Sequence, residues 1–306
     1  MSIRCFPFVG VFLSLAITGD SSRADDSAVL AALGIPSSAV SAGRGGAGLA
    51  QGGDGGDLRR NPALLGLGSG VRFHAARTEW FAEVSLTQFS VAAPQLGGRG
   101  AVAITYLGYG ELERRGGDPT SAPDGTFSPS EVYVQASYAR GLGEGGWFAG
   151  ASLRGLTQRI DTDRASGVAA DIGLLFAPEA EWFALGAGVR HIGPAFGPGD
   201  DALPLSGGLG ARVTSGGGWP VTLRTIADIE AGPLLAPELR VGLEADLSSS
   251  LTLRLGKNFG VAAEGVAAGF DYEQAISEVG LGVGYAFTDL AFELGSVHRF
   301  DLTLRF

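Results

Sequence analysis

The sequence predicts an all-β protein, a closed antiparallel transmembrane β-barrel of fourteen strands. From residue 68 onward, segments of alternating apolar and polar residues are separated by turn residues, which is typical of half-buried strands. The chain is apolar on average, with a mean hydropathy of +0.21, yet beyond residue 24 no apolar run is long enough for a membrane helix. Glycine, at 51 of 306 residues, disfavours helices. A closed barrel remains, because lipid tolerates no open sheet edge.

The segment 1–24 has the order of a secretory signal peptide. Arg4 precedes an apolar run at 5–17, and small and polar residues follow up to Ala24, after which we expect cleavage. The only cysteine, Cys5, would leave with this segment, so the mature chain would form no disulfide. An exported barrel is expected in the outer membrane of a Gram-negative bacterium, surrounded by outer-membrane lipid.

Fourteen alternating segments make up the predicted barrel, 68–306. Their connections are expected to alternate between short periplasmic turns and longer outer loops, such as 161–167 and 231–237. The predicted strands are 68–77, 80–93, 100–112, 131–139, 147–160, 168–176, 182–192, 204–213, 219–230, 238–247, 251–257, 265–272, 278–287 and 298–306.

The last of these strands ends the chain on an aromatic residue. It alternates Phe300, Leu302, Leu304 and Phe306 with charged or polar residues. The pattern resembles the closing strand of outer-membrane barrels, which carries the signal for the barrel assembly machinery. A half-buried final strand of a soluble sandwich is the alternative.

The positions of side chains along the strands predict an aromatic girdle and an ion pair in the lumen. Trp147, Trp182 and Trp219 each open a strand after a short turn, so they would lie at one height as an interfacial aromatic girdle, unless chance placed them there. Glu244 and Arg254 flank the turn at 248–250 and would form an ion pair across two strands in the lumen.

Other inward charges could line a selective channel or, more simply, pair across strands, because both signs are interspersed. They are Arg154, Asp171, Arg190, Arg212, Arg224, Asp228, Arg240, Asp246 and Asp301.

Composition and motifs exclude several other functions. Cleavage would leave 20 basic against 31 acidic residues from the 22 and 32 of the full chain, a net charge of −11, so no nucleic-acid partner is expected. Two Gly-x-Gly-x-x-Gly matches, at 43–48 and 141–146, lack the strand-then-helix context of nucleotide sites. The three histidines are far apart, and no Gly-x-Ser-x-Gly occurs. We therefore expect no enzyme, catalytic residue, metal or cofactor.

The whole mature chain resembles the PorV/PorQ family of outer-membrane proteins, relatives of the FadL fatty-acid transporters. The resemblance is carried by LGIPSSA at 33–39, AG-x-GGAG at 42–48, Asn61-Pro62-Ala63, TEWF at 78–81, RHIGP at 190–194 and HRFDLTLRF at 298–306. It implies a FadL-like barrel whose N-terminal segment, 25–67, folds inward as a luminal hatch, with Asn61, Pro62 and Ala63 where the hatch meets the first strand.

Three functions remain open. The resemblance implies a docking or shuttle component in protein export across the outer membrane, as in type IX secretion, with an envelope or secretion protein as partner. The alternatives are a FadL-like transporter of hydrophobic small molecules and a structural barrel that anchors an envelope machine. The first is favoured because the inward positions of three strands include no aromatic residue: Ala184, Gly186, Gly188, Arg190, Ser206, Gly208, Gly210, Arg212, Gly280, Gly282, Gly284 and Ala286.

Overall fold

The computed structural model describes residues 33–52, 57–116, 122–179, 182–197, 200–215 and 221–306. The predicted signal peptide and the first residues of the predicted hatch, 25–32, lie outside them. No helix of the described ranges is long and apolar enough to cross a membrane.

Fourteen antiparallel strands form a closed barrel, which confirms the predicted fold. The first strand, β1, pairs with both β2 and the last strand, β16, so the wall has no free edge. The barrel strands are β1 (Arg72–Glu79), β2 (Ser85–Gln95), β3 (Gly98–Gly108), β6 (Ser130–Gly141), β7 (Trp147–Ile160), β8 (Asp163–Phe176), β9 (Phe183–Ile192), β10 (Ser206–Thr214), β11 (Thr222–Gly232), β12 (Leu235–Asp246), β13 (Leu251–Asn258), β14 (Glu264–Ile276), β15 (Val279–Leu290) and β16 (Gly295–Arg305). Two short strands, β4 (Leu112–Arg114) and β5 (Gly125–Phe127), form a separate hairpin between β3 and β6.

Side chains alternate across the wall in the sense opposite to that of a water-soluble barrel. On β16, Phe300 and Leu302 are exposed on the outer surface, whereas Arg299 and Asp301 are buried inside. An apolar exterior and a polar interior suit a barrel that is surrounded by lipid. The same alternation explains why the strands could be read from the sequence.

Both ends of the wall, the start of β1 and the end of β16, lie at one rim, which we call the periplasmic end. The opposite rim is the outer end. Four connections there are shorter than predicted: residues 161–162 join β7 to β8, 233–234 join β11 to β12, 259–263 join β13 to β14, and 291–294 join β15 to β16. The adjoining strands continue instead through polar residues such as Asp163 and Arg164. Strand ends that project beyond lipid need no apolar face, so the polar residues there were mistaken for loops.

An inner segment, residues 33–52 and 57–67, lies against the inward faces of the wall strands. It contains a short helix, α1 (Ala39–Gly43), and two 3₁₀ helices, Asp57–Arg59 and Pro62–Leu67. Helix α1 packs on β13 to β16, and the second 3₁₀ helix packs on β3 and β6 to β8. Because it touches opposite sides of the barrel, this segment occupies the lumen.

Candidate functional site

The periplasmic half of the lumen is a polar cavity of about 1500 Å³. It is lined by charges of both signs, among them Glu244 and Arg254, which face each other in the register of β12 and β13. Arg254 Nε donates to Glu244 Oε1 at 2.7 Å. The mixed charges give this cavity no strong preference for one sign of solute.

Two wall carboxylates hold the backbone of the inner segment. Asp228 Oδ2, on β11, accepts hydrogen bonds from the N–H groups of Gly48 at 2.6 Å and Leu49 at 3.0 Å. Asp301 Oδ2, on β16, accepts from those of Ala39 at 2.8 Å and Val40 at 3.3 Å. Hydrogen bonds to an ionised acceptor are stronger than neutral ones, so the inner segment is fastened at two separate points.

Buried ion pairs add to this attachment. Arg60 lies 3.3 Å from Asp228 and 3.1 Å from Glu230, and Arg44 lies 3.5 Å from Glu244. The other inward charges pair mainly between wall strands: Arg154 with Asp171, Arg190 and Arg240 with Glu230, Arg224 with Asp246, and Arg254 with Asp271 as well as Glu244. These pairs hold the lumen together rather than leaving a field of one sign.

The tripeptide Asn61-Pro62-Ala63 starts the second 3₁₀ helix and contacts the wall. Asn61 Oδ1 accepts from the N–H of Ala63 at 3.0 Å, which caps the helix. Asn61 Nδ2 donates to the carbonyl oxygens of Leu49 at 2.8 Å and Leu174 at 3.2 Å. One buried side chain thus joins two parts of the inner segment to β8.

Aromatic side chains cluster at the periplasmic end. Trp147 packs on Phe176 with ring centroids 4.7 Å apart, and Trp182 packs on Phe183 at 4.3 Å. Both tryptophans are exposed on the outer surface. Trp219 lies outside the described residues.

The C-terminal residue lies at the same rim. Phe306 is exposed and meets Phe73 edge to face, with centroids 5.9 Å apart. Leu304 shares the outer face of β16 and lines a groove with Leu302 and Phe73. The side chains predicted as an assembly signal therefore form one apolar row where the barrel closes.

The outer half of the lumen contains an apolar cluster that the sequence analysis missed; we call it the outer chamber. Its wall residues come from β2, β3 and β6 to β8, whereas the prediction considered inward positions of 182–192, 204–213 and 278–287. Leu33 of the inner segment belongs to the cluster, and Ile35 packs against it. The wall residues are Leu86, Leu107, Tyr133, Leu156 and Ala169. Tyr133 could have indicated this cluster from the sequence, because it is an aromatic residue on the otherwise polar inward face of its strand.

The described parts of the loop 193–205, residues 193–197 and 200–205, cover the outer chamber, and Phe196 and Leu203 are buried in the cluster. Phe196 pairs with Asp201 through two backbone hydrogen bonds of 2.7 and 3.0 Å, which folds the loop back on itself. Gly167 of β8 leaves room for the Phe196 ring, because a Cβ there would lie only 2.7 Å from it. The loop therefore fills the chamber with its own side chains.

Beneath this loop the ladder between β8 and β9 is interrupted. The outermost pair is Ala170 with Ile192, and within the described residues 163–169 pair only with β7. His191 adopts a φ of 59°, and its N–H donates to Asp171 Oδ1 at 2.9 Å instead of continuing the ladder. Its ring Nδ1 lies 2.9 Å from the carbonyl oxygen of Pro204. The loop, rather than a strand, thus closes the wall beside the chamber.

Known structures share this architecture. The toluene transporter TodX of P. putida superposes with a TM-score of 0.58 at 14% identity, covering 87% of this chain and 96% of TodX. The Ralstonia pickettii toluene transporter TbuX gives 0.56 at 13% identity, with 88% and 98% covered. A Pseudomonas aeruginosa FadL homologue gives 0.50 at 9% identity, also with 88% and 98% covered.

No protein-family model and no curated protein matches the sequence. At the identities of these structures the likeness shows the fold alone. It does not show the finer resemblance to PorV and PorQ. The chain has the closed fourteen-stranded fold of FadL-like outer-membrane barrels.

Proposed function

We propose that this protein lets small hydrophobic molecules cross the outer membrane. The observation that carries the proposal is the outer chamber, an apolar cluster of eight buried residues that includes Phe196 and Leu203 of the covering loop. Apolar sites with a few polar groups are the usual binding sites of small hydrophobic ligands. The fold shared with TodX and TbuX, which are toluene transporters, supports the same function.

The proposed cellular location follows from the predicted signal peptide. We propose that the chain is exported, that it loses its signal peptide near Ala24 and that it inserts in the outer membrane of a Gram-negative bacterium. The closed barrel with an apolar exterior and a polar interior supports this location. We propose no enzymatic step.

In the proposed transport, displacement of Phe196 and Leu203 opens the outer chamber to the ligand. The wall beside them is closed by the loop and not by a strand, so the loop can move without breaking the β7–β8 ladder. Below the chamber the inner segment acts as the hatch, and its release from Asp228 and Asp301 would lead into the periplasmic cavity.

A reversible cross-link tests the role of the loop. A Cβ built on Gly197 would lie 3.4 Å from the Cβ of Ala165, close to the roughly 3.5–4.5 Å that a disulfide spans. The Ala165→Cys/Gly197→Cys variant, expressed in Gram-negative cells, is expected to lose uptake of radiolabelled toluene when oxidised and to regain it on reduction. The two single variants control for the substitutions, including any strain at Gly197, where φ is 73°.

Two results would contradict the proposal. Wild-type uptake no faster than in cells without the protein would exclude hydrophobic transport. Unchanged uptake by fully cross-linked protein would exclude the loop as the entrance.

A docking role in protein export, with an envelope or secretion protein as partner, is the second candidate. It is favoured by Phe292, which is 75% exposed in the outer connection 291–294 beside the exposed Leu294. Exposed apolar residues of this kind commonly mark interaction sites. Cells of the source organism that lack this chain would then retain exported proteins in the periplasm, whereas an unchanged culture supernatant would contradict the role.

A further inference from the structure

A buried carboxylate lies at the rim of the outer chamber. Glu131, at the outer end of β6, is fully buried and pairs in register with Leu107 and Gln158 of the neighbouring strands. Its Oε1 accepts a 2.6 Å hydrogen bond from the Tyr109 hydroxyl and a 3.3 Å bond from Gln158 Nε2. Its Oε2 accepts from the hydroxyl of Tyr133, whose ring belongs to the chamber.

The partners of Glu131 are neutral. Among the described residues it receives only these two hydroxyls and one amide, and it forms none of the ion pairs found elsewhere in the lumen. Three donors converge on it, so both of its oxygens act as hydrogen-bond acceptors. Burial and the bond to Glu131 raise the pKa of Tyr109, so its hydroxyl keeps its proton and donates.

Glu131 has capacity for one more donor. A carboxylate offers about four acceptor positions, and three are used here. Within the described residues, Oε2 accepts from Tyr133 alone. A ligand in place of the Phe196 ring would lie in the same apolar cluster as Tyr133.

We propose that Glu131, with Tyr109 and Tyr133, forms a binding site for the neutral hydrogen-bond donor of a small aromatic ligand, a phenolic hydroxyl. This inference rests on the proposed transport function and specifies its substrate class. The apolar chamber binds the ring, and the carboxylate accepts from the hydroxyl. An anionic ligand such as a benzoate or a fatty acid is rejected, because it brings no donor for Glu131 and its charge would be buried in an apolar cluster.

Binding of three probes of similar size to the purified full chain tests the site. p-Cresol carries the donor, toluene lacks it, and benzoate carries a negative charge. A hydrogen bond to a charged acceptor corresponds to about a tenfold preference for p-cresol over toluene, measured as the ratio of dissociation constants by calorimetry. Benzoate is expected not to bind.

The Glu131→Gln variant is expected to lower this preference to near one by weakening p-cresol alone. Glu113→Gln is the matched control, since Glu113 is an exposed carboxylate of β4 that pairs with Arg115 at 2.6 Å. The control should keep the wild-type preference. In each variant, a heat-modifiable band on gels verifies the folded barrel.

The Tyr133→Phe variant is expected to strengthen p-cresol binding, whereas Glu131→Gln is expected to weaken it. Tyr133→Phe keeps the ring but frees Oε2, and a buried acceptor without a partner is costly. We expect p-cresol to bind about tenfold more tightly and toluene to bind as before. This variant also keeps the test valid if Glu131→Gln fails to fold.

The outcomes separate this inference from the proposed function. Equal binding of p-cresol and toluene by the wild type would overturn the phenol site but leave hydrophobic transport standing. Binding of benzoate with similar affinity would also overturn it. If neither p-cresol nor toluene binds, the transport function fails as well.

Discussion

The carboxylate of Asp228, on the barrel wall, accepts a 2.6 Å hydrogen bond from the backbone N–H of Gly48, in the inner segment. The same oxygen also accepts from the N–H of Leu49 and lies 3.3 Å from Arg60 Nη2. A single wall side chain therefore holds two distant parts of the inner segment. Only proline would remove these backbone N–H groups, and it would also restrict the backbone; substitution of their acceptor is therefore the cleaner test.

We predict that Asp228→Ala loosens the inner segment without opening the wall. Each lost bond to a charged acceptor costs about 1.5–3 kcal/mol, whereas the β10–β11 and β11–β12 ladders remain. In planar bilayers the variant should show transient current steps where the wild type is quiet. Asp246→Ala is the control, since the bonds of Asp246 to described residues go to Arg224 and Thr252 of the wall. Silent recordings from both variants would contradict the prediction.

Replacement of Phe306 by lysine is predicted to reduce membrane insertion but not export. Phe306 exchanges backbone hydrogen bonds of 2.9 and 3.0 Å with Val71, and its ring contacts Phe73 where the barrel closes. We propose that the barrel assembly machinery recognises this end, while the signal peptide acts earlier. The heat-modifiable folded band should weaken as unfolded protein collects in the periplasm. Phe306→Trp keeps the aromatic ring and should insert normally; an undiminished band for Phe306→Lys would show that Phe306 is not required.

The pair of Glu244 and Arg254 should contribute more to stability than the more exposed pair of Asp246 and Arg224. Glu244 is buried and also lies 3.5 Å from Arg44, so Glu244→Gln leaves two buried cations without full compensation. The expected loss in the free energy of unfolding is about 3 kcal/mol. Asp246 and Arg224 are each a quarter exposed, and Asp246→Asn should cost about 1 kcal/mol or less. Urea unfolding in lipid vesicles measures both; equal losses would contradict this ranking.

Strands facing lipid on one side were predictable from the sequence, whereas the apolar cluster of the outer chamber was not. The predicted strand 147–160 coincides with β7, because its outward positions from Trp147 to Gly155 are apolar or small. The hairpin of β4 and β5 was missed, since both strands are short and exposed and so have no alternating pattern. The outer chamber was missed because its residues come from five wall strands, the inner segment and a loop, and only tertiary structure brings them together.

The inner segment fits against the inside of the wall because several wall positions are glycine. A Cβ on Gly186 would collide with the backbone of Leu49, so Gly186→Leu cannot coexist with the inner segment as it lies here. Gly155 has open space around it, on an exposed position of β7, and Gly155→Leu is its matched control.

We expect both variants to form barrels, because each leaves the strand ladders intact. Gly186→Leu should displace residues near Leu49 from the wall and open a steady conductance in planar bilayers, whereas Gly155→Leu should remain as quiet as the wild type. Deleting residues 25–62 should give a conductance at least as large, since every wall strand begins after Asn61. A folded Gly186→Leu barrel that stays closed would show that the inner segment can shift and still block the lumen, and that Leu49 is not needed for the seal.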